Sequence, residues 1–212
     1  MNEPLAFFDV DTQVDFMLPS GSLYVKDAEE IIPNLRKLIA YAQERRIPVL
    51  SSADAHPPDD PSFAQWPPHC VVGTPGQFRI PETLFPSCMV IVNRPGRFQA
   101  PGEWVGQFII EKQEYDATTN VNFDAILKSL GRRRFVVFGV ATEYCVRGTA
   151  LGLRRRGLPV DLVTDAIKEI EPEDGRKGLE EMVATGVRLV KTAEVCASAH
   201  LGAGRHGAAR LR

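Results

Sequence analysis

Along the chain, apolar positions form short unbroken runs separated by longer stretches in which they recur every three or four residues. The runs are Leu5–Val10, Pro48–Ser52, Cys88–Val92, Phe108–Ile110, Phe135–Gly139, Pro159–Val163 and Val187–Val190. Their length and their β-branched and aromatic content suit strands, and unbroken apolarity suits strands buried on both faces. Between them, Ile31, Leu35, Leu38, Ile39 and Ala42 fall at helical spacing, with Pro33 near the start, where proline is tolerated. Phe123, Ile126, Leu127 and Leu130 place a second helix over Val121–Leu130. A third runs from Cys145 to Arg156 and stops at Gly157, and a fourth from Asp174 to Thr185 stops at Gly186. Strand alternating with helix predicts βαβ units and therefore an α/β fold with parallel pairing.

Bulk properties narrow the class. At 212 residues and 44% hydrophobic content, the chain supports one substantial core, so one domain is expected over residues 1–197. The tail from Ser198 onward, rich in Gly, Ala and Arg, is expected to be disordered. Twenty-five basic against 27 acidic residues give no electrostatic reason to expect nucleic acid or an anionic membrane, which points to a small-molecule partner. The arginine runs 132–134 and 154–156 fall near helix C-termini, where cations complement the dipole, and are given no binding role. No apolar run has the length of a membrane span, and the N-terminal residues enter a strand without a basic region or cleavage site. A soluble cytoplasmic protein is the expectation. Four cysteines without CxxC spacing fit a reducing compartment.

Candidate chemistry collects where strands end. The run Phe135–Gly139 leads through a polar turn to Cys145 at the head of a helical pattern, where backbone N–H groups stabilise a thiolate and an oxyanion. An isolated cysteine after a buried strand is more often a small core residue, so its company decides. The first strand ends among Asp9, Asp11 and Asp15, any one of which a turn or cap explains as well as catalysis does. The second ends in Asp54-Ala-His56, followed by a proline-rich loop through Ser62 to Trp66-Pro-Pro-His69. An Asp and two His from one loop suit a divalent transition metal with open coordination positions, and Ser62 could add an oxygen directly or through water. Phe108–Ile110 leads into Lys112, which alone reads as an ordinary solvated charge. In an open parallel sheet, however, Asp11, Lys112 and Cys145 converge on one crevice. With both histidines before the tail claimed by the metal loop, the base for the thiol must be a carboxylate beside a lysine.

Taken in order, Asp11-x-Gln13-x-Asp15-Phe16, Asp54-x-His56-Pro-Pro, Trp66-Pro-Pro-His69-Cys-Val, Gly73-Thr-Pro-Gly76, Lys112-x-x-Tyr115-Asp-Ala and Ala141-Thr-Glu-Tyr-Cys145-Val resemble the nicotinamidase branch of the isochorismatase-like cysteine hydrolases. The resemblance spans roughly residues 4–197. It implies a three-layer α/β/α sandwich around a mainly parallel sheet. It also implies a catalytic set of Asp11, Lys112 and Cys145, and a metal held by Asp54, His56 and His69, with zinc first and manganese or iron as alternatives. A cis peptide at Val140–Ala141 is implied too, with the N–H groups of Ala141 and Cys145 as oxyanion donors, Phe16 and Trp66 flanking an aromatic ring, and Tyr115 beside the substrate. A small amide as substrate and a homo-oligomer follow from the same resemblance. Two departures stand out. Ser62 occupies a fourth ligand position where relatives often carry histidine or glutamate, and the segment from Asn93 to Gly106 is long enough to form a lid over a different amide. The rival readings are a family amidase for another amide or ureido group, an isochorismatase, against which the cysteine argues, and a non-catalytic binding protein.

Overall fold

The computed structural model describes residues 3–96, 98 and 106–197. Seven strands form one sheet: β1 (Leu5–Val10), β2 (Val49–Asp54), β3 (Cys88–Ile91), β4 (Gln107–Lys112), β5 (Arg134–Val140), β6 (Val160–Lys168) and β7 (Arg188–Val190). Their order is β3-β4-β2-β1-β5-β6-β7, and every pairing is parallel. The helices are α1 (Val14–Met17), α2 (Ile32–Glu44), α3 (Phe123–Leu130), α4 (Arg147–Arg155), α5 (Pro172–Ala184) and α6 (Thr192–Ala197).

The pleat sorts the side chains into two cores. Ala6, Phe8 and Val10 of β1, with Phe135 and Val137 of β5, pack under α3, α4 and α5 through Phe123, Ile126, Ala150, Leu153 and Met182. Phe7, Val136, Phe138 and Val140 point the other way, onto Leu35, Leu38, Ile39 and Ala42 of α2 and Val195 of α6. Unbroken apolar runs were therefore required, because each central strand is covered on both faces. This is the expected three-layer α/β/α arrangement. No helix among the described residues is long and apolar enough to cross a membrane.

The topology also fixes where a site can form. From β1 the chain passes to β2 and on to the edge strand β3, inserts β4 between β3 and β2, then crosses back to place β5 on the other side of β1. That reversal opens a crevice at the carboxyl ends of β1 and β5, the place where open α/β sheets bind ligands. Gly139 is needed at this junction. Its φ is +121°, and a Cβ there would lie 2.0 Å from the Val10 carbonyl oxygen of the neighbouring strand.

Some boundaries differ from the sequence expectation. Strand β6 runs to Lys168, five residues past the predicted end, since Thr164-Asp165 interrupts the apolar run but not the pairing to β5 beyond a register shift. The helix predicted from Cys145 begins as a π-helical turn, Thr142–Val146, and becomes α-helical only at Arg147. Helices α1 and α6, four and six residues long, were too short to show a period. Of the Asn93–Gly106 segment, residues 97, 99–105 lie outside the described residues, as does the tail from Ser198, so neither the lid nor the disorder expectation is addressed.

Candidate active site

Each candidate side chain is delivered by a strand end. Asp11 follows β1 in the left-handed region, φ 47°, a conformation that costs a non-glycine residue energy and is held by its surroundings. Asp54 closes β2 and Lys112 closes β4, and the parallel register sets the two side by side. Cys145 lies in the π turn after β5, next to a cis peptide at Val140–Ala141. Gly73 to Gln77 wraps beneath, and a Cβ on Gly76 would lie 2.1 Å from Asp15 Oδ2.

At the centre is Lys112, fully buried. Its Nζ is 2.8 Å from Asp11 Oδ2 and 3.4 Å from Cys145 Sγ, and it also bonds Asp54 Oδ1. Asp11 Oδ1 accepts a 2.6 Å hydrogen bond from Ser52 Oγ. Of the three carboxylates that competed in the sequence, Asp11 is the one facing the thiol. Asp9 pairs with Arg79, and Asp15 ties two loops by accepting from the N–H groups of Ser22 (2.9 Å) and Cys70 (2.7 Å). Lys112 is not the solvated charge it would be if taken alone: two carboxylates stabilise its ammonium where water cannot.

The electrostatics follow from burial. Burial favours a neutral Lys112, but Asp11 and Asp54 outweigh it and raise its pKa well above the ordinary value, so it stays charged. Burial likewise raises Asp11, against the pull of Lys112. For Asp54 burial is overcome by Lys112 and His56, and the carboxyl is lowered. The Cys145 thiol is raised well above its usual range by burial, with Lys112 opposing and Asp11 and Asp54 adding to the rise. Burial thus opposes the thiolate that a helix terminus and Lys112 favour, and it leaves Asp11 beside the thiol with heightened proton affinity.

Asp54 turns its other oxygen the opposite way. Asp54 Oδ2 is 3.7 Å from His56 Nε2 and 3.9 Å from His69 Nε2, and one ligand atom from each residue lies within 4.8 Å of the others. Both rings are anchored by their far nitrogens, His56 Nδ1 to Asp60 Oδ2 at 2.9 Å and His69 Nδ1 to the Pro67 carbonyl at 2.8 Å. With Nδ1 carrying the proton, each Nε2 presents a lone pair to the same point, the pattern of histidines that ligate metal. Burial lowers His56, but Asp54 and Asp60 on either side raise it, which marks a place that favours a cation. Ser62 Oγ is buried in the same loop, and its hydroxyl lies close enough to Asp60 to help hold that carboxyl low. The residues fit a divalent metal, with three protein ligands and an open side.

A cavity of about 610 Å³ opens above these groups. Phe16, Trp66, Tyr115 and Ser62 all line it, as do Asp54, His56, His69, Ala141 and Cys145, whereas Asp11 and Lys112 are fully buried behind this lining and reach it through their contacts with Cys145 and Asp54. The Phe16 ring is 5.5 Å from that of His69, and Trp66 Nε1 donates to the Tyr115 hydroxyl at 3.0 Å. Three residues had no assigned task. Tyr144 packs between Trp66 and Tyr115, its ring 5.4 and 5.2 Å from theirs; standing beside Cys145 was its only signal. Asp60 lies four residues after His56 in a loop that offered no reason to prefer it over Asp59. Gln13 sat in the quoted motif, and its amide clamps the Asp54 backbone, accepting from Asp54 N–H (2.8 Å) and donating to Asp54 O (2.9 Å) and Gln77 O (2.8 Å). Gln13→Ala is expected to cost about 1–3 kcal/mol by stranding these buried groups. Thermal melts would show it, and a melting temperature equal to wild type would refute it.

A parallel seven-stranded sheet with a thiol, a lysine and two carboxylates at its switch point defines an isochorismatase-like hydrolase fold. The isochorismatase domain family matches residues 6–103 and 99–194, and the chain belongs to that family. It is 31% identical to the nicotinamidase/pyrazinamidase of Mycobacterium tuberculosis, over 87% of this chain and 97% of that protein. The structure of the pyrazinamidase of Pyrococcus horikoshii in complex with zinc superposes with a TM-score of 0.73 at 33% identity, covering 88% of this chain and 98% of that one. An isochorismatase-like hydrolase from Alkaliphilus metalliredigens superposes at 0.77 with 25% identity, covering 92% and 98%.

Proposed function

We propose that the protein is a metal-containing cysteine amidohydrolase acting on nicotinamide, releasing nicotinate and ammonia. The observation that carries this is Lys112 Nζ, which joins Asp11, Asp54 and Cys145, the last two of which line a chamber together with His56 and His69. Likeness to nicotinamidases and to a zinc-bound pyrazinamidase supports the substrate and makes zinc the first metal to test, with manganese and iron next.

In the proposed reaction, Asp11 takes the Cys145 proton as Sγ bonds to the carboxamide carbon. Lys112 keeps the charge of this buried cluster balanced while the proton moves. The N–H groups of Ala141 and Cys145 hold the tetrahedral oxyanion. Its collapse breaks the C–N bond, and the nitrogen leaves as ammonia with the proton from Asp11. Asp11 next takes a proton from water as the oxygen adds to the thioester carbon. The second collapse breaks the C–S bond, frees the acid and returns the proton to sulfur. Asp54, His56 and His69, with Ser62 nearby, would hold a divalent ion, which would supply a Lewis-acid site for the lone pair of the ring nitrogen. Phe16 and Trp66 flank the ring, and Tyr115 closes the outer side.

Ammonia release from nicotinamide by zinc-loaded protein tests the reading, and chelation is expected to depress it and zinc to restore it. Absence of release from loaded protein would reject nicotinamide. A second reading has its own support. The cavity falls within the range of roughly 300–1,000 Å³ typical of sites for drug-sized ligands, and its lining also includes Gln65, Gln113 and Glu114. A larger amide with a polar substituent would use that space.

A further inference from the structure

We propose that Asp60 is the positioning residue of the metal site, holding His56 in its ligating tautomer and seating the turn that carries Ser62. The inference rests on the metal reading above. One carboxylate performs both tasks. Asp60 Oδ2 receives His56 Nδ1 at 2.9 Å, and Asp60 Oδ1 receives the Ser62 N–H at 2.8 Å, capping the 3₁₀ turn Pro61–Ala64. Its side chain is only 10% exposed, so water competes weakly for either bond.

The tautomer follows from the distances. His56 stands between two carboxylates, but only Asp60 is within hydrogen-bond reach, Asp54 Oδ2 being 3.7 Å away. The proton therefore belongs on Nδ1, leaving the Nε2 lone pair aimed at Asp54 Oδ2, the same oxygen that His69 Nε2 faces at 3.9 Å. An anionic partner also makes the ring a stronger donor to a metal than a neutral one does. His69 has no such partner on Nδ1; the Pro67 carbonyl in its own loop serves it. The capped turn contributes further, since Phe63 on it packs against both imidazoles with ring centroids 5.6 and 5.8 Å away. The two histidines and the buried Ser62 hydroxyl are thus brought into register by one side chain that ligates nothing itself.

Asp59 provides the control. It is the adjacent carboxylate, exposed, and carries the same charge at nearly the same place. Zinc affinity would be measured by chelator competition on full-length wild type, Asp60→Ala, Asp60→Asn and Asp59→Asn, each stripped and titrated with zinc, with melting temperatures alongside. Asp60→Ala is expected to bind zinc about 10–100-fold more weakly. Asp60→Asn, whose amide oxygen still accepts from Nδ1 but carries no charge, is expected to fall between, and Asp59→Asn to match wild type. Wild-type affinity in folded Asp60→Ala would overturn the proposal, as would an equal loss in Asp59→Asn, which would reduce the effect to net charge. If Asp60→Ala does not fold, Asp60→Asn decides: weakened affinity at an unchanged melting temperature supports the proposal, and unchanged affinity overturns it. Failure of the metal reading would look different, because wild type itself would then bind no stoichiometric zinc.

Discussion

Cys145→Ala is expected to lower kcat/KM for amide hydrolysis by roughly 10⁴-fold or more, the scale on which loss of a covalent nucleophile registers, while zinc affinity stays at the wild-type value. The asymmetry follows from the layout. Sγ touches Lys112 Nζ at 3.4 Å, whereas the proposed ligands lie on the far side of Asp54. Removing one buried sulfur costs little fold stability, about 1 kcal/mol by analogy with other small core truncations. A folded, zinc-binding and inactive protein is therefore the predicted phenotype. Ammonia release and chelator competition on the same preparation check both halves. Turnover within about tenfold of wild type would remove Cys145 from the reaction. Loss of zinc together with turnover would mean that the thiol belongs to the metal set, a reading the geometry allows in outline because Asp11, Asp54 and Cys145 also lie within 4.8 Å of one another.

Legibility in the sequence follows physical range. The strands were readable because burial on both faces keeps β1 and β5 almost wholly apolar, Asp9 being admitted by its Arg79 partner, and α2 because one face alone is buried. The end of β6 was not, since pairing through Thr164 and Asp165 depends on neighbours distant in the chain. Among site residues, the convergence of Asp11, Lys112 and Cys145 needed only the rule that parallel strands deliver their carboxyl ends to one crevice. Roles set by a particular contact were hidden. Nothing local distinguishes Asp60 from Asp59, and Tyr144 becomes a wall of the chamber only once Trp66 and Tyr115 reach it from two other loops. The opposition of burial to Lys112 at the Cys145 thiol was also out of reach, because the sequence shows a lysine partner but not how deeply both are buried.

Lys112 is where fold and function are least separable, and Lys112→Met is expected to damage both. Methionine keeps much of the buried stem but withdraws the charge from Asp11 and Asp54, which are themselves buried. Breaking one side of a buried ion pair costs about 3–5 kcal/mol. At roughly 2–4 °C per kcal/mol for a chain of this size, the melting temperature should fall by some 6–20 °C. The loss should depend on pH with a definite sign. Asp11 is already raised above its ordinary 3.8 by burial, and Lys112 is the leading influence holding it down. Without that ammonium the folded carboxyl binds a proton more readily than the unfolded one, so folding takes up protons at pH values above 3.8. Stability of the variant must then fall as pH rises through the raised folded value and recover on acidification. Melts of both proteins at pH 5 and pH 8, with zinc saturating throughout, should show the gap narrowing at pH 5. A gap that widens at pH 5, or a variant as stable as wild type at both, would show that Lys112 does not neutralise ionised carboxylates. The charge-balanced cluster proposed for proton transfer from Cys145 to Asp11 would then have no basis.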